Sequence, residues 1–103
     1  MNYTFIGWCR DEEKGIDKIW GIIELHAQSY RPWDDHKYIT FWGRRGRRLQ
    51  TKIWTGNWGM ADHDIRKKLQ RGYRRIDPSQ LNLVYPEFQQ DLEQTAVWGL
   101  MMV

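Results

Sequence analysis

"RLQTKIWTGNWGMADHDIRKKLQRGY", from Arg48 to Tyr73, changes its hydrophobic period half-way along. Over Arg48 to Trp54 apolar and polar residues alternate. Leu49 and Ile53 fall on one face, and Arg48, Lys52 and Trp54 on the other, which predicts a strand with one wet face. From Met60 onward the spacing is helical. Met60, Ala61, Ile65, Leu69 and Tyr73 recur on one side while Arg66, Lys67, Gln70, Arg71 and Arg74 point elsewhere, so a helix is expected over about residues 60 to 71. Gly72 stands where that helix would stop, in the left-handed conformation glycine tolerates best. A strand passing directly into a helix places the chain among α+β folds.

Upstream the pattern is all strand. Tyr3 to Trp8 is aromatic and β-branched, and so is Lys18 to Leu25. A polar turn, Asp11-Glu12-Glu13-Lys14-Gly15, lies between them. Lys37 to Gly43 reads as a third strand, followed by a turn at Gly46. Ser29 to His36, with Pro32, reads as a loop. The expectation from these patterns is about four strands and one main helix within residues 1 to 76. A C-terminal extension over 77 to 103 would pack on the same domain or on a second chain. In that extension Asp77-Pro78-Ser79-Gln80 has the form of a helix start, with a capping acid and proline at the first position. Phe88, Leu92 and Ala96 repeat at i, i+4, i+8. The end, Val97 to Val103, is apolar enough to call for burial, in the core or in a homodimer contact.

Composition narrows the function classes. The 103 residues predict one domain with a small core. The single cysteine, Cys9, excludes an internal disulfide and any zinc site built on paired cysteines. No run approaches a membrane span, and Met1-Asn2-Tyr3-Thr4 does not open a signal peptide, so a cytoplasmic location and no membrane partner are expected. Net charge is +3, but its distribution is uneven. Lys37 to Arg75 holds twelve Lys/Arg against two Asp, a local charge of +10. The other residues hold four Lys/Arg against eleven Asp/Glu, or −7. A basic middle between acidic flanks points to a polyanion: DNA or RNA, or alternatively an acidic protein partner.

Catalytic arrangements are not visible. Asp34-Asp35-His36 and Asp62-His63-Asp64 lack the spacing of a metal site or a triad, and they read as solvated loop and helix-start residues. Neither a cofactor nor a metal is expected, and the chain reads as a binding protein rather than an enzyme. The candidate nucleic-acid-binding residues are Trp42, Arg44, Arg45, Arg47, Arg48, Lys52 and Trp54. Arginine grips phosphate with a planar fork, and an indole offers a flat face to bases and sugars.

Trp42-Gly43-Arg44 followed by Gly46 resembles the signature of the WGR domain, the DNA-end-binding module of DNA-dependent poly(ADP-ribose) polymerases and of small bacterial or phage proteins. The similarity continues in Asp17-Lys18-Ile19-Trp20-Gly21-Ile22, in Gln50 with its strand, and in Lys68-Leu69-Gln70-Arg71-Gly72-Tyr73. It spans about residues 3 to 75. It implies an antiparallel sheet packed on one helix and a binding role at a DNA break near a 5′ end. There the motif tryptophan, here Trp42, stacks on a terminal sugar, and the motif arginine, here Arg44, organises contacts. The chain departs from the family in carrying Arg45 where an apolar residue is usual and Arg47-Arg48 where a further glycine is usual.

Overall fold

The computed structural model describes residues 3–25 and 34–95. The fold is α+β. Strands β1 (Tyr3–Asp11), β2 (Ile16–Glu24), β3 (His36–Arg44) and β4 (Gln50–Gly56) precede helix α1 (Trp58–Gln70). A two-residue strand β5 (Arg74–Arg75) and short helices α2 (Pro78–Val84) and α3 (Phe88–Glu93) complete it. The sheet is antiparallel, in the order β4-β3-β2-β1-β5. Sequential strands are thus neighbours, and only the β4-to-β5 excursion through α1 crosses the sheet. That places α1 over one face.

Both faces of the sheet carry buried side chains, one beneath α1 and the other beneath the C-terminal extension. The cause lies in β2, whose Ile19 and Ile23 point one way and Trp20 and Ile22 the other, all of them buried. On one side Phe5, Cys9, Trp20, Ile22 and Tyr38 meet Ala61 and Ile65 of α1 together with Tyr73. On the other, Ile6, Ile19, Ile23, Phe41 and Leu49 are covered by Leu81, Tyr85, Phe88 and Leu92 of the extension. Fully burying such a side chain stabilises by about 1.5–3 kcal/mol, so the extension is part of the core. A register shift between Tyr3 and Phe5 in β1 lets both rings be used, Tyr3 on the extension side and Phe5 on the α1 side.

The helix ends are encoded locally. Asn57 caps α1, its side-chain oxygen accepting from the Met60 N–H at 3.1 Å. Replacing Asn57 with alanine is expected to cost about 1 kcal/mol, measurable by urea denaturation. Gly72 takes a left-handed φ of 95° after α1, as its position predicts. At α2, Asp77 and Gln80 form a reciprocal capping box with Pro78 at the first position. The Phe88 and Leu92 spacing falls on the short helix α3, which buries both side chains. Ala96 and the apolar segment 97–103, with its expected core or homodimer contact, lie outside the described residues.

Two side chains of the predicted helical stripe are not core. Met60 is 52% exposed and Leu69 is 42% exposed. The helix touches the sheet through the small Ala61, then Ile65, and Tyr73 closes the contact after the turn. Lys68, not Leu69, occupies the next inward position, with its ammonium 5.4 Å from the Trp20 ring and 5.7 Å from Tyr73.

Candidate functional site

The β3–β4 corner is set by two glycines. Arg44 accepts from the Arg47 N–H at 3.0 Å across a turn whose third residue is Gly46 at φ 81°, where a side chain would be strained. Gly43 at φ 156° brings the chain against Arg48, and a Cβ there would lie 3.3 Å from the Arg48 carbonyl oxygen. Successive residues around this corner go to opposite faces. Trp42 and Arg44 point to the α1 side. Arg45 points to the extension side, where its Nε and Nη2 donate to Asp17 at 2.9 and 2.8 Å and its Nη1 donates to the Val84 carbonyl at 2.7 Å. Arg45 also lies 5.6 Å from the Trp8 ring, and Trp8 Nε1 donates to the same Asp17 at 2.8 Å. These contacts hold the Asp17 carboxyl below its ordinary range, with the Arg45 hydrogen bond as the largest cause. Arg45 is thus tied into the fold. Arg47 and Arg48 stand exposed on the turn, ahead of β4.

The remaining sequence-predicted residues, Trp42, Arg44, Lys52 and Trp54, meet on the α1 side of the sheet. The antiparallel register sets Lys18 opposite Arg44, Trp20 opposite Trp42, Thr40 opposite Lys52 and Tyr38 opposite Trp54. Between these strands and α1 lie two depressions that share Trp20, Thr40, Trp42 and Lys68. The first, of about 610 Å³, reaches Lys18 and Arg44. The second, of about 790 Å³, is bordered by Lys52 and Trp54 from the sheet and by His63, Asp64, Lys67 and Arg71 from α1. Together they form a trough with an indole ridge, Trp42, in the middle. Trp54 is fixed: it stacks on Tyr38 with centroids 4.6 Å apart, and its Nε1 donates to Thr40 Oγ1 at 2.8 Å.

Lys18, Trp20, Lys67, Lys68 and Arg71 were not among the sequence candidates. Lys67 and Lys68, in the last turn of α1, also complement the helix dipole, and the Lys18 to Leu25 segment reads from its sequence only as a strand. Six cations border the trough, and none takes part in the four ion pairs formed among the described residues. Their mutual effect registers at Lys68, whose ammonium is pushed below the ordinary lysine value by burial first and then by Arg71, Lys18 and Lys67, with Asp64 opposing. Lys18 and Arg44, directly opposite on one face, also repel, an arrangement that weakens a sheet.

Of the two acid–histidine groups, one lies away from the trough and the other borders it. His36 is buried at the start of β3 with Nδ1 2.5 Å from Glu24 Oε1, not solvated as the loop reading expects, because β3 begins at His36 itself. His63 is exposed on α1 and borders the second depression. Among the described residues no three His, Cys, Asp or Glu side chains are placed to hold a metal ion, and no helix is long and apolar enough to cross a membrane. Comparison with protein-family models, with curated proteins and with solved structures gave no match.

Proposed function

We propose that this protein is a nucleic-acid-binding module, of the kind the Trp42-Gly43-Arg44 corner resembles, and that it acts by binding rather than by catalysis. The observation that carries the reading is the trough: six cations crowded around part-exposed indole surface, none of them in an ion pair among the described residues. Like charges placed close together repel, most at the part-buried Lys68, and an anion bound among them relieves that repulsion. A polyphosphate backbone is such an anion, and base or sugar faces suit the aromatic ridge. Trp42 and Arg44 take the stacking and organising roles that the WGR resemblance implies. Arg47 and Arg48, exposed on the turn after Arg44, extend the cationic surface.

Salt titration tests this directly. If about five phosphates are engaged, the log–log slope of affinity against salt is expected to be roughly −3.5 for single strands and roughly −4.5 for duplex. The double change Arg47→Glu with Arg48→Glu is expected to flatten that slope while leaving the melting temperature unchanged. Affinity insensitive to salt overturns the reading. So does capture of one stoichiometric acidic protein that survives nuclease treatment, in place of nucleic acid.

A further inference from the structure

The two depressions differ in a way that suits them to different parts of a nucleotide. The first brings together Lys18, Arg44 and Lys68. Asp17 also borders it, but its carboxylate oxygens are engaged by Arg45 and Trp8. The second has Trp42 and Trp54 as aromatic walls, and beside the cations Lys52, Lys67, Lys68 and Arg71 it carries a carboxylate, Asp64, on its α1 side. Asp64 is half-buried and has neither a hydrogen bond nor an ion pair among the described residues. The four cations attract phosphate to the rim of this depression, but Asp64 disfavours a phosphate placed directly beside it. A base edge carrying an exocyclic amino group, by contrast, has a donor to offer it. The volume of about 790 Å³ falls among sites that enclose one small ligand. The anchored Trp54 ring keeps its wall rigid, so little ordering is needed on binding.

We propose that the second depression receives a single unstacked nucleobase, with its neighbouring phosphate in the first, and that Asp64 selects bases bearing an amino group over thymine or uracil. This rests on the nucleic-acid reading and narrows it to single-stranded substrate. In a duplex both the faces and the pairing edges of the bases are occupied, whereas a single strand can splay one base out onto an aromatic side chain.

The test uses the full chain with fluorescently labelled oligo(dC), oligo(dA) and oligo(dT) of equal length and a blunt hairpin duplex, at one salt concentration. The wild type is expected to bind oligo(dC) and oligo(dA) more tightly than oligo(dT), and each more tightly than duplex. Trp42→Ala is expected to lose roughly 5- to 150-fold on single strands, the range of one aromatic–base stack, and to lose less on duplex, where the base faces are already stacked. Asp64→Ala, which removes a side chain with no hydrogen bond or ion pair among the described residues, is expected to bring the oligo(dC) to oligo(dT) ratio to one. Should Trp42→Ala fail to fold, the wild-type ranking and the Asp64→Ala ratio decide. Equal affinity for single strands and duplex overturns the base subsite and leaves the nucleic-acid reading standing. An Asp64→Ala effect uniform across all oligonucleotides overturns the amino-group selection. No binding to any probe overturns both readings.

Discussion

Lys68→Met is expected to leave the protein about as stable as the wild type while weakening its binding to single-stranded DNA by roughly 10- to 150-fold, the equivalent of one lost charged hydrogen bond of about 1.5–3 kcal/mol. The two halves of that result come from the same geometry. Methionine keeps an apolar stem over Trp20 and Tyr73 but removes a charge from beneath Arg71, Lys18 and Lys67. What is lost is a pair of cation–π contacts, worth about 0.5–1 kcal/mol each where water reaches them. What is relieved is desolvation plus repulsion from three cations. The lowered Lys68 pKa gives the direction of that relief, with desolvation as its largest cause, and it opposes the loss of the contacts.

The sign with pH follows. The folded pKa of Lys68 lies below its unfolded value, so charged Lys68 opposes folding below the folded pKa, and that opposition fades as pH rises through it toward 10.5. Wild type should therefore gain a little stability on the alkaline side that Lys68→Met does not gain. Affinity should fall over the same interval, earlier than an ordinary lysine would allow, because phosphate binds the charged form. Thermal melts and fluorescence titrations across alkaline pH measure both. A destabilised Lys68→Met variant with unchanged affinity would assign Lys68 to the core alone.

The period change between Trp54 and Met60 made the strand-to-helix step readable, and Gly46, Gly72 and Asp77-Pro78 announced the turn, the helix stop and the capping box. All of these are local chemistry. The second buried face was less readable, because β2 is apolar on both sides and an unbroken apolar run does not say what covers each side. The site divided along the same line. Trp42, Arg44, Lys52 and Trp54 were legible as interleaved charge and aromatic rings on one strand pair. Lys18 and Trp20 joined them only through the β2–β3 register, which residue spacing within one strand does not contain. Lys67 and Arg71 joined through the crossing of α1, where dipole complementation had already accounted for their charge. Arg45 was the opposite case. Counted by composition it belonged with its neighbours, but one residue of strand parity sends it to the other face.

That parity leads to the second large effect. Arg45→Ala is expected to lower stability by about 3 kcal/mol, and to leave nucleic-acid affinity of the folded protein within about twofold. The truncation removes three donors at once. It leaves the Asp17 carboxylate with Trp8 Nε1 alone and the Val84 carbonyl without its guanidinium partner. Both acceptors are partly enclosed, so the loss exceeds that of a surface pair, which is worth about 0–1 kcal/mol. In a domain of this size each kcal/mol moves Tm by roughly 4–8 °C, so the shift is easily read in a melt. The extension should stay docked through Leu81, Tyr85, Phe88 and Leu92, because Arg45 fastens a contact those side chains already make. Acid dependence supplies an independent check. Asp17 has a folded pKa below its unfolded value, so its pairing stabilises above about pH 3.9 and is lost as pH falls through the folded value. Wild type should lose stability over that acid interval, and Arg45→Ala, with the main cause of the shift gone, should lose less. Arg47→Ala, by contrast, removes an exposed side chain and is expected to stay within about 0.5 kcal/mol of wild type while binding nucleic acid less tightly. If Arg45→Ala instead matched Arg47→Ala in both measurements, the turn would be one cationic patch, and the division of its arginines between fold and ligand would fall.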